Sequence, residues 1–327
     1  MPKTTRRAAM ALAAGTAVAA AFAGDARAQA NWPDRPVRLI IGYPAGGPTD
    51  FGGRLLQEPL QQLWGQPLVI ENRAGASGII AAEMVAKAPP DGYTLYLCAS
   101  THTSNPALHA KLPFDTLADF TPIVLLYNSP TVLFTGPDQP FRTAADVVAA
   151  ARKQPGMAHA SSGTGATGHF AMEMFRRKAG IELTNVAYRG APPALQDVVG
   201  GRVPITFSTL SGAIGLVRDG KLRPLAIAGP NRSEVLPGVP TLAESGLEIP
   251  DTSPWYGFVG PGRMPDPIVR RIAADVQGLL RRPDIAKRIV DQGGIVEGEG
   301  PAEFAARMRR EVAENAEVAR AAGIKVE

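Results

Sequence analysis

Two glycine-rich segments, each between a predicted strand and a predicted helix, carry residues suited to binding an anion. A helix N-terminus presents free amides and a partial positive charge, and glycines let a ligand approach the backbone closely. Either segment alone could be a tight turn. The presence of one such segment in each half of the chain predicts that the two together bind a small anion between two domains. The two segments are residues 43–50 and residues 161–169.

The second segment also contains a GxGxxG pattern, formed by Gly163, Gly165 and Gly168. After a strand and before a helix, this spacing is the dinucleotide-binding fingerprint. The next strand ends in Tyr188-Arg189 and supplies no acidic residue for a ribose hydroxyl. The arginine would suit a 2′-phosphate, although an exported protein has no supply of free NADPH. A nucleotide-dependent enzyme stays open as the weaker alternative, together with a secreted hydrolase.

Other catalytic patterns are missing from the sequence. There is no GxSxG nucleophile elbow, no P-loop ending in Gly-Lys-Ser/Thr and no HExxH pair among the four histidines. The single cysteine, Cys98, lies in an apolar predicted strand, which favours a buried, inert thiol. His169 could act as a base, but a ring that caps the loop or contacts a ligand is at least an equal alternative, and His169 is kept as a candidate ligand-binding residue. The residues therefore predict binding without catalysis, with no metal and no cofactor.

The elements that position these segments alternate between strands and helices. Strand–helix alternation predicts parallel sheets covered on both faces. After residue 259 the pattern predicts three helical stretches and no long strand. Predicted strands cover residues 37–41, 68–70, 93–99, 122–127, 131–135, 158–161, 183–188, 205–209, 225–228 and 255–259. Predicted helices cover residues 50–64, 84–88, 144–153, 167–178, 194–199 and 213–218, with Thr143 as an N-cap.

The composition of the 327 residues is that of a globular protein, with 45% hydrophobic and 20% charged residues and a mean hydropathy of −0.02. This length predicts two domains. The first thirty residues carry +3 of the formal net charge of +4, so the rest of the chain carries only +1. The high isoelectric point is therefore no indication of nucleic-acid binding, and none is predicted.

Residues 1–30 have the pattern of a cleavable signal peptide. Lys3, Arg6 and Arg7 form a positive region, and an alanine-rich apolar run follows over residues 8–24. Two small-x-small sites then occur at residues 26–28 and 28–30, which favours cleavage over a membrane anchor. The mature chain is predicted to be periplasmic, exported by the Sec route or, given the paired arginines, by the twin-arginine route.

Eight motifs in one order give the chain a family resemblance. It resembles the Bug family of extracytoplasmic solute receptors, the periplasmic substrate-binding components of tripartite tricarboxylate transporters. The likeness covers essentially all of the mature chain. The motifs are AGGPTD at residues 45–50, ENRAGASG at 71–78, APPDGYTL at 88–95, LPFD at 112–115, SSGTG at 161–165, YRG at 188–190, GKLR at 220–223 and LPGVPT at 236–241.

The resemblance implies a binding protein that closes on a small carboxylated solute, a di- or tricarboxylate or another carboxylic acid, and delivers it to a membrane permease. It places the ligand between the two glycine-rich segments, with contacts from backbone amides, hydroxyls and ordered water. The resemblance implies that the first segment contributes Gly46, Gly47 and Asp50, and that the second contributes Ser162, Gly163, Thr164, Gly165 and Thr167. Three positions depart from the family pattern. Ala166 and Gly168 stand where relatives often carry serine, and Ser208, also a predicted ligand contact, stands where many carry aspartate. The loss of that carboxylate predicts a hydroxy- or plain carboxylic acid as ligand and disfavours an amino acid.

The predicted fold is α/β: two doubly wound domains with a ligand cleft between them, as in type II-like periplasmic binding proteins. Two crossings, near Ser129 and near Ser253, would join them. Domain 1 is predicted to comprise residues 31–128 and 255–327, and domain 2 residues 129–254. A structural or adhesive envelope protein remains a third class, which would require an exposed apolar surface.

Overall fold

A computed structural model describes residues 32–322, which form eleven strands and ten α-helices. The predicted signal peptide lies outside the described residues. The strands are β1 (Val37–Ile41), β2 (Leu68–Asn72), β3 (Thr94–Ala99), β4 (Phe120–Asn128), β5 (Thr131–Thr135), β6 (Met157–Ser161), β7 (Leu183–Ala187), β8 (Ile205–Thr209), β9 (Arg223–Ile227), β10 (Trp255–Pro261) and β11 (Ile295–Glu299). The helices are α1 (Pro48–Trp64), α2 (Ile79–Ala86), α3 (Thr101–Leu108), α4 (Ala144–Lys153), α5 (Thr167–Ala179), α6 (Ala191–Val199), α7 (Leu210–Arg218), α8 (Asp266–Leu280), α9 (Pro283–Asp291) and α10 (Pro301–Ala322).

The strands divide into two sheets, one for each of two α/β domains. The first sheet has six strands in the order β11-β4-β10-β3-β1-β2, and the second has five in the order β7-β6-β8-β5-β9. The chain therefore leaves the first sheet after β4, builds the whole second sheet, and returns with β10. Within residues 32–322, none of the helices combines the length and the apolarity needed to cross a lipid bilayer.

Both sheets are mixed: the predicted parallel pairing is confirmed for β2-β1-β3 and for β7-β6-β8, and it is wrong for the rest of each sheet. In the first sheet β10 and β11 run antiparallel to their neighbours, and in the second β5 does. β5 and β10 each enter a sheet directly from the other domain. They begin at the edge where the parallel strands end, and so they must run in the opposite direction. The prediction also omitted the short edge strand β11 and the helix α3.

Each sheet is covered by helices on both faces. Leu39 and Ile40 are adjacent in β1 and fully buried, yet they belong to different hydrophobic clusters. Leu133 and Phe134 in β5 divide in the same way between the two clusters of the second domain. Since successive side chains of a strand point to opposite faces, this division shows that neither face of either sheet is exposed.

Local side-chain chemistry sets where the helices begin. Thr143 caps α4 in a capping box: its hydroxyl accepts from the Asp146 amide at 3.2 Å, and the Asp146 carboxylate accepts from the Thr143 amide at 2.9 Å. The helices α1 and α5 start differently, because their N-cap residues, Gly47 and Ala166, have no side chain that can cap. Their first amides are left for another partner.

The two crossings lie side by side and are hydrogen-bonded to each other. The Ser129 amide donates to the Pro254 carbonyl at 3.0 Å, and the Thr131 hydroxyl donates to the Thr252 carbonyl at 2.9 Å. The Ser129 hydroxyl also accepts from the Ser211 amide at the start of α7. The domain boundaries given above stay a prediction, which the division of the strands between the two sheets supports.

Candidate ligand-binding cleft

The loop between β1 and α1 is held in shape by Asp50. This side chain is 2% exposed, and its carboxylate accepts hydrogen bonds from the Gly46 amide at 2.9 Å, from Arg54 at 2.7 Å and from Asn72 at 3.0 Å. Burial raises the pKa of Asp50, but these hydrogen bonds outweigh burial and hold the pKa below its ordinary value. Asp50 and Gly46 therefore shape the loop, whereas Gly47 lines the cleft.

The loop between β6 and α5 is shaped by its glycines and by His169. Gly163 and Gly165 have φ angles of 140° and 77°, which favour glycine. The Gly165 amide donates to Nδ1 of His169 at 3.0 Å, so the imidazole ring holds the loop in shape. His169 is not among the residues that line the two chambers of the cleft described below. Burial lowers the pKa of His169. Gly168 packs against β8, where an added Cβ would lie 2.2 Å from the Phe207 carbonyl oxygen.

An inner chamber of about 60 Å³ lies between the domains and brings four predicted residues together: Gly47 from domain 1, and Ser162, Thr167 and Ser208 from domain 2. Among the residues that the structure describes, no Asp, Glu, Lys or Arg lines it. Further lining residues that sequence reasoning did not find are Tyr43, Pro44, Pro48, Thr49, Ala99, Thr101, Ala191, Pro192, Phe207, Thr209, Pro254 and Tyr256.

Five helices begin at this inner chamber. The chamber is lined by the N-cap or first-turn residues of α1, α3, α5, α6 and α7. Each helix N-terminus carries a partial positive charge of roughly half an elementary charge. The residues at these helix starts are Gly47, Pro48 and Thr49 in α1, Thr101 in α3, Ala166, Thr167 and Gly168 in α5, Ala191 and Pro192 in α6, and Thr209 in α7.

The wall of the inner chamber on the domain 1 side is fixed by Tyr43. Its hydroxyl shares a short hydrogen bond with the Thr101 hydroxyl and lies 3.3 Å from the Ser77 carbonyl oxygen. Burial raises the pKa of Tyr43 to about 12. The phenol is therefore un-ionised near neutral pH and adds a polar group without adding negative charge.

An outer chamber of about 630 Å³ adjoins the inner one. Tyr43, Pro44 and Ser162 line both chambers and therefore lie between them. Gly163 and Thr164 line the outer chamber, so six of the ten predicted residues lie in the cleft. The rest of its wall comprises Gly42, Ala74, Gly75, Ala76, Ser77, Ile80 and His109 from domain 1, and Ala187, Tyr188, Arg189 and Gly190 from domain 2.

The two domains touch across the mouth of the cleft. The Ser77 hydroxyl donates to the Thr164 carbonyl at 3.3 Å, and Ser77 holds a left-handed φ of 51°. Gly190 packs so closely that an added Cβ would lie 2.8 Å from the Pro44 ring. The two domains are therefore in direct contact at the wall of the outer chamber.

The groups that could suggest chemistry lie apart from the cleft or are inert. Cys98 is buried, and burial raises the pKa of its thiol far above the ordinary value. Among residues 32–322, no three His, Cys, Asp or Glu side chains are grouped so that they could hold a metal ion. Gly168, the third glycine of the GxGxxG pattern, is needed for the close packing of α5 on β8. This packing accounts for a glycine at position 168 without a bound nucleotide.

Two α/β domains with two crossings and a cleft walled by helix N-termini define a periplasmic binding protein fold. A structure of MatC from Rhodopseudomonas palustris with bound malate shares this fold at a TM-score of 0.82 and 32% identity, covering 88% of this chain and 99% of that chain. A structure of an R. palustris protein with adipate matches at a TM-score of 0.87 and 33% identity, covering 90% of this chain and 100% of that chain.

The chain belongs to the receptor family of the tripartite tricarboxylate transporters, whose family model matches residues 53–313. The protein BugT of Bordetella pertussis is 32% identical over 266 residues, which are 80% of this chain and 82% of BugT. The resemblance to Bug-type receptors is thereby confirmed. The molecule is a solute receptor of this type, and both the family and its structural neighbours are binding proteins.

Proposed function

We propose that this protein binds a small carboxylated solute in the inner chamber and delivers it to the permease subunits of a tripartite tricarboxylate transporter. One observation carries the proposal: within residues 32–322, five helix N-termini converge on a chamber that no charged side chain lines. The aligned dipoles of all five helices favour an anion. Free amides are available at the uncapped starts of α1 and α5. In α7 the Leu210 and Ser211 amides already donate to Pro130 and Ser129, and α6 has prolines at positions 192 and 193. A carboxylate would therefore be held without a cationic side chain.

The hydroxyl groups of the wall support the same ligand. They come from both domains, so one bound carboxylate could contact domain 1 and domain 2 together and favour the closed arrangement. Ser208 leaves the chamber without the carboxylate that an amino group would pair with, and we propose a plain or hydroxy acid as ligand. The hydroxyl-bearing residues are Tyr43, Thr49, Thr101, Ser162, Thr167, Ser208, Thr209 and Tyr256.

The neighbouring structures with adipate and malate are consistent with this ligand class. They support a carboxylic acid as the ligand, and the screen described below is designed to identify that acid. We propose that the protein binds its ligand without turnover, because His169 is engaged in the loop and Cys98 is buried.

A thermal-shift screen of mono-, di- and tricarboxylates, with amino acids as controls, tests the binding proposal. Ligand at a hundred times its dissociation constant stabilises the folded state by about 2.7 kcal/mol. For domains of this size the melting temperature should rise by roughly 5 to 10 °C. Enzymatic turnover of the acid that binds would overturn the proposal, and so would a screen in which only amino acids or no acids shift the melting temperature.

We further propose that the protein is periplasmic and that its leader is cleaved after Ala28 or Ala30. N-terminal sequencing of the protein from separated cell fractions tests this. A periplasmic species beginning at Gln29 or Asn31 is expected. An intact Met1 on a cytoplasmic species would contradict it.

A further inference from the structure

The second glycine-rich loop is fastened to α5 by one side-chain hydrogen bond. The amide of Gly165, which is buried and has a φ of 77°, donates to Nδ1 of His169 at 3.0 Å. The next residue, Ala166, is the N-cap of α5, and its carbonyl accepts from the His169 amide at 2.9 Å. His169 therefore fixes both residues that precede Thr167 in the wall of the inner chamber.

The hydrogen bond from Gly165 exists only while Nδ1 of His169 carries no proton. A neutral imidazole has one donor and one acceptor nitrogen, whereas both nitrogens of the imidazolium are donors. The contact therefore assigns the neutral tautomer with its proton on Nε2. Protonation of Nδ1 turns two N–H groups towards each other and leaves the buried Gly165 amide without an acceptor, which is costly.

The titratable and charged groups that act on the His169 ring come from β6 and α5. His159 of β6 stacks on it at a centroid distance of 6.3 Å and is fully buried. Glu173 and Arg176 of α5 form an ion pair at 2.5 Å. The described residues of β7 and β8, the strands on either side of β6, include no titratable side chain.

These surroundings keep the His169 ring neutral near pH 7. Burial is the largest cause and lowers the pKa of His169, while Glu173 raises this pKa and Arg176 lowers it. Burial also lowers the pKa of His159 to about 4, so the neighbouring ring is largely unprotonated at pH 5 and above. As the pH falls from 7 to 5, the change at this pair of rings is therefore the protonation of His169.

We infer that His169 is a positioning residue for the ligand: its unprotonated Nδ1 holds the anion-binding loop in shape, so ligand affinity falls when this nitrogen takes up a proton. The inference rests on the proposed function, since it concerns the loop beside the proposed carboxylate. The bound state then carries one proton fewer, and affinity rises with pH until His169 is fully deprotonated.

The positive charge of a protonated ring acts in the opposite direction, because it attracts an anion. His169 does not line the chamber, so its charge acts at a distance, whereas the lost hydrogen bond acts on the loop itself. The sign of the pH dependence therefore separates the two effects.

Calorimetric titration at pH 8 and at pH 5 tests the inference, with the acid that gives the largest thermal shift as ligand. The wild type is compared with His169→Asn, whose side-chain oxygen can accept from the Gly165 amide and does not titrate. Protonation of the acid itself affects both proteins alike. From pH 8 to pH 5 the affinity of the wild type should fall relative to His169→Asn by about three- to thirtyfold, the upper figure being that of a histidine with an ordinary pKa.

His169→Leu is the matched control, because leucine has nearly the shape of asparagine and no acceptor. At pH 8 it should bind more weakly than His169→Asn by about five- to a hundredfold, the loss expected for an unsatisfied buried donor. Equal affinity of the two variants, or a wild-type affinity that does not fall relative to His169→Asn at pH 5, would overturn the inference while the proposed function stands. A wild-type protein that binds no carboxylic acid at pH 8 would overturn the proposed function as well.

An NMR titration of the His169 ring in the wild-type protein needs no variant. A ligand that binds only the unprotonated form lowers the pKa of the ring, whereas an anion that acts through its charge alone raises it. The titration midpoint of His169 should therefore move to lower pH when the protein is saturated with the acid. An unchanged or higher midpoint would overturn the inference even if neither variant folds.

Discussion

Replacing Ser208 by aspartate places a carboxylate in the wall of the inner chamber, where we propose that the ligand carboxylate binds. Two unit charges of like sign about 4 Å apart repel by about 4 kcal/mol at an effective dielectric constant near 20, and by about 3 kcal/mol at 6 Å. The predicted loss of affinity is therefore about a hundred- to a thousandfold. Ser208→Asn is the matched control, because it adds nearly the same volume without the charge.

The assay is calorimetric titration of both variants at pH 8 with the acid that gives the largest thermal shift. Steric crowding of the small chamber affects both variants alike, so the ratio of their dissociation constants measures the effect of the added negative charge on affinity. Burial and the bound anion raise the pKa of the introduced carboxyl, and the ratio should therefore shrink as the pH is lowered towards 5. Equal affinity of the two variants at pH 8 would refute the placement of the carboxylate beside Ser208.

Three further predictions concern the second loop and the core. Thr167→Val removes one hydroxyl from the inner chamber and should weaken ligand binding by about 0.5 to 1.5 kcal/mol, or up to about 3 kcal/mol if that hydroxyl donates to the ligand carboxylate. Unchanged affinity in calorimetry would argue against this contact. Gly165→Val forces a β-branched residue to a φ of 77° and should abolish the ligand-induced thermal shift, so a folded variant with the full shift would contradict the role of this loop. Burial lowers the pKa of His102 from about 6.5 to about 4, so the stability that depends on its neutral form is present above pH 6.5 and is lost as the pH falls towards 4. In urea unfolding, the free energy of unfolding of His102→Leu should fall less than that of the wild type as the pH is lowered from 6.5 to 4. The same pH dependence in both proteins would contradict a buried, neutral His102.

The sequence predicts a site residue when both its chemical type and its place at a strand–helix junction indicate the cleft. The glycine-rich loops stand between a strand and a helix, and the family resemblance adds Ser208 at the end of a strand. Gly47, Ser162, Thr167 and Ser208 line one chamber in the structure, and their contact with a ligand stays a prediction. The starts of α6 and α7 were predicted three residues too late. This displaced Pro192 and Thr209 from the helix starts that line the chamber.

Other features depend on tertiary contacts that leave no periodic pattern. The helix α3 is buried over most of its length and reads Thr-His-Thr-Ser-Asn-Pro-Ala-Leu, so it lacks an apolar stripe, and Thr101 was missed with it. The strand β11 contains Gly298 at a φ of 72° and is a strand only because it pairs with β4. The antiparallel direction of β5 and β10 follows from the crossings, which strand–helix alternation does not encode.

A crystal structure of the protein with the tightest-binding acid tests the central claim most directly. The account predicts a carboxylate in the inner chamber, within hydrogen-bonding distance of the first-turn amides of α1 or α5 and of the Ser162, Thr167 or Ser208 hydroxyls. An acid bound elsewhere on the molecule, with only water in the inner chamber, would contradict the claim.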